Sequence, residues 1–336
     1  MTTNEYAFSS VRIRALEKEI VGREKLEMLL DAPGNEQAMR LLSEFGFSIP
    51  EEEQTDQAGS NHYEKVLSDK LKRAYAELED ILPEKQSLGF LKYRYDCHNI
   101  KSALKGASLG ISYEDMLIDL GTVPAQDYPQ MLEAHDFTKL PACMARGAAE
   151  AEAEFAASRN PQLVDVIVDK ACFADIKALC SQVDSQLLRR AYAGKADLLN
   201  IEMVLRFIRM GRSDSGKALL KRALLPGGQM DEDFFMSAYD EGEEYLCDKM
   251  QHQSYYALGK EFANSDRSFA SYEKICDNYL TRIFKEVRFI PFGPEVGVCY
   301  LEGMETAIRN IRIVMAGKGA ELGTDQIRER IRESYV

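Results

Sequence analysis

The 336-residue sequence predicts an all-α protein built from three related helical domains. Three observations lead to this prediction. Long segments repeat their apolar residues at three- and four-residue intervals, alternating strand patterns are nearly absent, and one Asn-containing motif occurs three times. The ten Pro and 22 Gly fall mostly between the helical segments, which is typical of helices joined by short loops.

Five segments outside the repeated motif show the helical period clearly. They are YAFSSVRIRALEKEI (6–20), HYEKVLSDKLKRAYAELEDIL (62–82), LPACMARGAAEAEAEFAAS (140–158), SYEKICDNYLTRIFKEV (271–287) and TDQIRERIRES (324–334). The stretch IPEEEQTDQAGSN (49–61) is the clearest loop. Its carboxylates from Glu51 to Glu53 lack the spacing of cation ligands, which favours a solvated charged surface.

The repeated motif occurs in YDCHNIKSALKG (95–106), KADLLNIEMVLRFIRMG (195–211) and METAIRNIRIVMAGKG (304–319). Each copy places an Asn-Ile pair inside an apolar helical pattern. The pairs are Asn99-Ile100, Asn200-Ile201 and Asn310-Ile311, so successive Asn residues are 101 and 110 positions apart. This near-even spacing predicts three pseudo-symmetric domains, residues 1–107, 108–213 and 214–336.

Asn is a weak helix former, because its side chain competes for nearby backbone groups, so its repetition in mid-helix needs a reason. We expect each carboxamide to hydrogen-bond a loop or a neighbouring helix of its own domain, satisfying buried backbone groups. Asp96 and Asp197 lie three residues before the first two Asn, on the same helix face, where they could join this network. The third copy has Ala307 there, which favours a structural role over acid–base catalysis.

Composition and charge exclude several classes of protein. The net charge of −13 argues against a nucleic-acid partner. The seven Cys are scattered without CxxC spacing, so neither a disulfide framework nor a zinc site is expected, and a reducing cytoplasm fits best. The amphipathic first 20 residues are unlike a signal peptide, and no stretch approaches the roughly 18 apolar residues of a membrane span. Any membrane association is therefore expected to run through a partner.

Two motifs suggest catalytic or nucleotide sites, and both have a simpler explanation. The stretch GRSDSGKA (211–218) nearly matches the phosphate-binding loop GxxxxGK[ST], but Ala218 replaces the Mg²⁺-ligating hydroxyl and a helical pattern precedes it. We expect a helix end closed by Gly211 and a polar turn. Cys97 and His98 could suggest a catalytic dyad, but adjacent residues on a helix point about 100° apart. The four His show no metal-ligand spacing, and no catalytic residue, metal or cofactor is predicted.

The stretch RFIPFGPEVG (288–297) concentrates two Pro, two Gly and two Phe in one loop. It either turns the chain into the last repeat helix or presents Phe289 and Phe292 to a partner protein, since exposed aromatic side chains anchor interfaces. The sequence leaves both alternatives open.

These motifs together resemble a known family. FLKYRYDCHNIKSALKG is similar to its first signature, an aromatic-rich approach to Asp-x-x-Asn-Ile-Lys. CYLEGMETAIRNIRIVMAGKG followed by LGTDQIRERIRESYV is similar to its closing signature, although the family's Lys-Glu-x-Glu is reduced here to Glu305. The family is that of the C subunits of the rotary V/A-type ATPases, whose eukaryotic vacuolar counterpart is called d, and the resemblance runs from one end of the chain to the other.

The resemblance implies a funnel of three helical domains on the cytoplasmic end of the membrane rotor ring, which is made of c/K subunits. Central-stalk subunits D and F would insert into the funnel, and rotation would pass between the ATP-handling head and the ring, moving H⁺ or Na⁺ or making ATP. The protein itself would be non-catalytic. The alternative is a free-standing helical repeat adaptor, although such solenoids have periods of about 20 to 50 residues.

Overall fold

The computed structural model describes residues 3–47, 62–251 and 255–336. The predicted loop 49–61, with its run from Glu51 to Glu53, lies outside the described residues. Helices make up the regular structure of these three ranges, which contain no β-strand, so the all-α prediction is confirmed. None of the helices in these ranges combines the length and the apolar character needed to cross a bilayer.

The chain divides into two compact units. The first unit comprises Met1–Lys85 together with Glu273–Val336, and the second comprises Gln86–Tyr272. The division into three pseudo-symmetric domains and the funnel rest on the sequence repeat and the family resemblance, and they remain predictions.

The first unit consists of helices from both ends of the sequence. Its α-helices are α1 (Ala7–Leu16), α2 (Arg23–Asp31), α3 (Asn35–Glu44), α4 (His62–Ile81), α15 (Pro294–Gly319) and α16 (Thr324–Arg328). Helix α14 (Phe269–Lys285) begins in the second unit and continues into the first.

The second unit is formed by the middle of the chain. Its α-helices are α5 (Gly89–Leu109), α6 (Tyr128–Glu133), α7 (Ala142–Ser158), α8 (Pro161–Gln182), α9 (Gln186–Arg209), α10 (Asp214–Ala223), α11 (Glu232–Glu241), α12 (Glu243–Gln251) and α13 (Tyr256–Ala263), followed by the start of α14.

Local sequence explains where several of these helices begin. Several helices start directly after a residue whose side-chain oxygen accepts a hydrogen bond from a backbone amide of the first turn, which satisfies a donor that the helix leaves free. Among the described residues, these capping residues include Asn160, Ser185, Ser213, Asp231 and Ser268, at the starts of α8, α9, α10, α11 and α14.

The last helix is shorter than the sequence predicts. The pattern TDQIRERIRES predicts helix over 324–334, whereas α16 ends at Arg328. Beyond it, the backbone is bound by side chains of other helices: Asn310 pairs with Arg332, Asn278 accepts from the Glu333 amide at 2.7 Å, and Lys285 donates to the Ser334 carbonyl at 3.0 Å. These tertiary hydrogen bonds replace the helical ones, so local propensity is overridden.

Helix α15 forms the centre of the first unit. It packs against α1, α2, α3 and α4. Most of its apolar side chains are buried, including Val296, Leu301, Met304, Ile308, Ile311, Val314 and Met315. Since apolar residues surround much of this helix, it is an interior helix rather than an amphipathic surface helix.

Helices α7 and α8 form the closest pair in the second unit. At Gly147 the two helices approach so closely that an added Cβ would lie 2.5 Å from the Cβ of Ala171. Because real carbon–carbon contacts are near 3.5 to 4.0 Å, a larger side chain at this position would push the helices apart. The small residue therefore sets the separation of this pair.

We predict that Gly147→Leu lowers the free energy of unfolding by about 1–3 kcal/mol, because overpacking forces the backbone to shift. The matched control is Ala149→Leu, since Ala149 is exposed on the same helix; it should stay within about 0.5 kcal/mol of the wild type. Urea denaturation followed by circular dichroism measures both. Equal denaturation midpoints for the two variants would contradict the proposed close packing.

Candidate functional site

The three repeated Asn side chains form the same pair of hydrogen bonds. In each copy, the carboxamide oxygen accepts from the backbone amide of one downstream residue and the carboxamide nitrogen donates to the carbonyl of that same residue. The pairs are Asn99 with Ile118 (2.8 and 2.8 Å), Asn200 with Leu225 (2.8 and 2.9 Å), and Asn310 with Arg332 (2.9 and 3.0 Å). The Asn side chain thus bonds both backbone groups of one residue, as a neighbouring β-strand would, although the fold is helical.

Burial makes these pairs structurally important. The exposed fractions of Asn99, Asn200 and Asn310 are 0%, 2% and 0%. A buried amide or carbonyl without a partner costs about 1–3 kcal/mol, so a segment docked on these helices needs such a partner. The neighbouring Ile100, Ile201 and Ile311 have exposed fractions of 0%, and they anchor each Asn helix in its apolar surroundings.

Asp96 extends the first copy of this network. Its carboxylate accepts from the amides of Thr122 (2.9 Å) and Val123 (3.1 Å), from the Thr122 hydroxyl (2.6 Å) and from the Tyr128 hydroxyl (3.2 Å). Four donor groups around one buried carboxylate replace the water that it loses on folding. The loop after α5 is therefore held at two places, by Asn99 and by Asp96.

Asp197 does the same in the second copy. Its carboxylate accepts from the amides of Gln229 (2.8 Å) and Met230 (3.2 Å) and from the Tyr255 hydroxyl (2.7 Å). In both copies, the two amides belong to the fourth and fifth residues after the partner of the Asn, Leu225 in this copy. The two copies thus share one local geometry, although the loops differ in length.

A glycine precedes the amides in both copies. A Cβ added at Gly121 would lie 2.2 Å from Oδ1 of Asp96, and one added at Gly228 would lie 1.9 Å from Oδ1 of Asp197. Atoms cannot approach so closely, so the carboxylate occupies the space that a side chain would need. Glycine is required here for close approach of the backbone to the carboxylate.

The pKa of each of these carboxylates is raised, and burial is the largest cause. Burial raises the pKa of Asp96 and of Asp197, whereas the hydrogen bonds that they accept act in the opposite direction. Ala307 occupies the corresponding position of the third copy and offers no acceptor. The arrangement that all three copies share therefore holds backbone in place, and it contains no carboxylate that could transfer protons.

The structure directs the Cys97 and His98 side chains to different partners. Cys97 is buried and its thiol donates to Asp169 at 3.1 Å, whereas the exposed His98 ring contacts the Met116 carbonyl at 3.0 Å. The neighbouring Cys172 and burial raise the pKa of the Cys97 thiol. A nucleophilic Cys needs the opposite shift, so this pair is not arranged as a catalytic dyad.

The stretch GRSDSGKA connects two helices. Gly211 follows α9 with φ of +100°, and Ser213 caps α10 by accepting from the Gly216 amide at 3.1 Å. The Lys217 ammonium forms an ion pair with Asp240. A phosphate-binding loop requires a preceding strand and an available Lys, and neither is present at this position.

The loop around Phe289 is ordered by α1. The Arg14 guanidinium donates to the carbonyls of Val287 (2.7 Å) and Ile290 (3.0 Å). The Phe289 ring is 74% exposed and the Phe292 ring 36% exposed. On α1, Phe8 and Val11 are also exposed, at 74% and 66%. The first unit therefore presents a fixed loop with an outward aromatic side chain, and an apolar pair lies on the helix that holds it.

Sequence reasoning missed four residues of the repeated site: Gly121, Gly228, Tyr128 and Tyr255. Each Gly lies three residues after the partner of the Asn, but that spacing becomes visible only once the partner is known. Among the described residues, no group of three or more His, Cys, Asp or Glu side chains is placed to hold a metal ion.

Comparison with known proteins identifies related chains. The family model for the ATP synthase (C/AC39) subunit matches residues 9–330. The C subunit of the V-type sodium ATPase of Enterococcus hirae is 21% identical over 332 residues, which cover 98% of this chain and 99% of the relative. The C subunit of the A-type ATP synthase of Methanocaldococcus jannaschii is 22% identical over 350 residues, which cover 96% of this chain and 85% of the relative.

We predict that replacing Asn99, Asn200 or Asn310 by Ala lowers the free energy of unfolding by roughly 1 to 3 kcal/mol, because each change leaves a buried amide and carbonyl unpaired. Asn264→Ala is the matched control, since that side chain is exposed and, within the described part of the chain, bonds only the Lys260 carbonyl of the preceding turn. Chemical denaturation measures the difference. Stability equal to that of the control would show that water replaces the carboxamide.

A second prediction concerns the contact between Gly121 and Asp96. We expect Gly121→Ala to destabilise the protein by about 1–3 kcal/mol, because the new methyl group collides with the carboxylate. In an Asp96→Ala background the same change should cost less, with a coupling energy of about 0.5–3 kcal/mol. A double-mutant cycle measured by urea denaturation tests this. Additive effects would mean that the collision is relieved elsewhere, and Gly228 with Asp197 provides an independent repeat.

Proposed function

Since the chain belongs to the ATP synthase (C/AC39) subunit family, we propose that it is the coupling subunit of a rotary V/A-type ATPase. Members of this family are stalk subunits rather than catalytic subunits. In the proposed role, the chain joins central-stalk subunits D and F to the membrane rotor ring, and it passes rotation between ATP turnover and the movement of H⁺ or Na⁺. It is held at the membrane surface through the ring.

The match over residues 9–330 is the observation that carries this proposal. The geometry of the repeated site supports it as well. Transmitting torque requires helices and loops that stay rigid under load. Three pairs between a buried Asn and the backbone fix downstream segments to α5, α9 and α15. Satisfied buried polar networks of this kind rigidify a fold. No step of the role requires a nucleophile or a tuned acid.

The Phe289 loop supports a contact with another subunit. Exposed aromatic side chains on a fixed loop lose little conformational entropy on binding, and they anchor protein interfaces. We propose that Phe289 and Phe292 contact the stalk or the ring in the assembled rotor. The family role and this loop thus lead to the same expectation, which is binding through a preformed surface.

We predict that the rotary complex of the source organism, purified without this chain, still hydrolyses ATP but no longer moves ions. Reconstitution into vesicles allows ATP hydrolysis and H⁺ or Na⁺ uptake to be measured on one sample. Adding the full chain should restore uptake. Ion uptake at the normal rate without the chain would contradict the coupling role.

The same complex separates the proposal from the alternative of a free-standing helical repeat adaptor. A coupling subunit should co-purify with subunits D and F or with the ring, whereas an adaptor should bind neither. Phe289→Ala/Phe292→Ala should weaken this association about tenfold or more, since truncated interface anchors typically cost at least 1–2 kcal/mol. Tyr256→Ala, at a residue that is 56% exposed in the second unit, is the control.

A further inference from the structure

A basic cavity opens in the first unit, distant in sequence from the Asn motif copies of the second unit. Its volume is about 430 Å³, within the usual range of small-molecule sites. Helices α2 and α14 and the segment after Arg328 line it. The lining residues are Arg23, Leu26, Glu27, Lys274, Asn278, Lys285, Arg328, Ile331, Arg332, Glu333, Ser334 and Val336.

The charge of this basic cavity is opposite to that of the whole chain. Five cationic side chains and two carboxylates line it, while the net charge of the protein is −13. Both carboxylates are already paired with arginines: Glu27 with Arg328 at 3.1 Å, and Glu333 with Arg282, which lies outside the cavity. Arg332 is paired with Asp277 at 3.1 Å, so the uncompensated positive charge of the lining is carried by fewer than five side chains.

Two of the cations lack a carboxylate partner. Arg23 forms no hydrogen bond or ion pair with any described residue. Among the residues that the structure describes, Lys285 donates only to the backbone carbonyl of Ser334, at 3.0 Å, which leaves two of its three N–H groups available. A guanidinium and an ammonium on one cavity provide the charge-assisted donors that phosphate oxygens prefer.

Two neutral side chains of the lining also have unused hydrogen-bonding groups. Asn278 is only 6% exposed; its oxygen accepts from the Glu333 amide at 2.7 Å, but its NH₂ group has no partner among the described residues. The Ser334 hydroxyl is buried and also lacks a partner. Buried polar groups are normally satisfied, so the Ser334 hydroxyl indicates that a ligand atom or water occupies the adjoining space, and the Asn278 NH₂ group offers a further donor.

We propose that the basic cavity binds an anion bearing phosphate groups, with Arg23 and Lys285 balancing its charge and with Asn278 and Ser334 hydrogen-bonding its oxygens. A phosphate group offers several acceptor oxygens and more negative charge than a chloride ion or a single carboxylate, which suits a lining with both cationic and neutral donors. The inference rests on the cavity alone and does not depend on the rotary function.

The test uses the full chain and inorganic pyrophosphate as the probe, in low-salt buffer. Isothermal titration should show saturable binding that Arg23→Gln weakens about tenfold or more, because a charge-assisted contact is lost. Arg23 is exposed and unpaired, so this change leaves the fold intact. Arg23→Lys should retain most of the affinity. The matched control Lys72→Gln removes an equal charge from the exposed face of α4 and should leave the affinity within about twofold.

A second arm distinguishes a soluble anion from a lipid headgroup. Co-sedimentation with phosphatidylglycerol vesicles that pyrophosphate competes away would assign the site to a membrane phosphate. Saturable pyrophosphate binding without sedimentation would assign it to a soluble phosphate compound. Absence of saturable binding below about 10 mM, or equal affinity in Arg23→Gln and Lys72→Gln, would overturn the proposal.

Discussion

The fold depends on a buried carboxamide that pairs with the main chain. Helices satisfy their own backbone groups, but the irregular segments that contain Ile118, Leu225 and Arg332 do not, and the carboxamides that bind these segments are buried. A single Asn in mid-helix supplies one donor and one acceptor at the spacing of a peptide group, so one segment is fixed to each helix. The cost of an Asn within a helix is offset by this pairing.

The same pairing connects the fold to the proposed role. A coupling subunit must keep its shape while force passes through it, and a loop attached only by apolar contacts can slide. Hydrogen bonds to both groups of one peptide unit, with Asp96 and Asp197 holding further amides, define a single position for each segment. This is the contribution that buried polar networks make to structural specificity. The site is therefore a mechanical feature, and its residues matter for stiffness rather than for chemistry.

The sequence predicted the helices and the identity of the repeated Asn residues, but it did not predict their partners. Helical period and the three Asn-Ile pairs were visible directly. The partners Ile118, Leu225 and Arg332 follow their Asn by 19, 25 and 22 residues, in irregular segments of unequal length, so no fixed spacing identified them. Two of them lie beyond the expected boundaries at 107 and 213. The helix predicted over 324–334 is present only to Arg328, because tertiary hydrogen bonds outweigh local helix propensity beyond it.

Each Asn pairs with the backbone of one downstream residue, and the three residues recognised in this way are an Ile, a Leu and an Arg. Selection at those positions thus acts on the path of the chain and not on the identity of the side chain. The residue that the Asn binds can therefore change while the attachment is retained, provided that the Asn persists and that the glycines beside Asp96 and Asp197 stay in place. The two relatives described above share 21% and 22% of their residues with this chain over nearly its whole length. The path of the chain can therefore be kept while most of the side chains along it change.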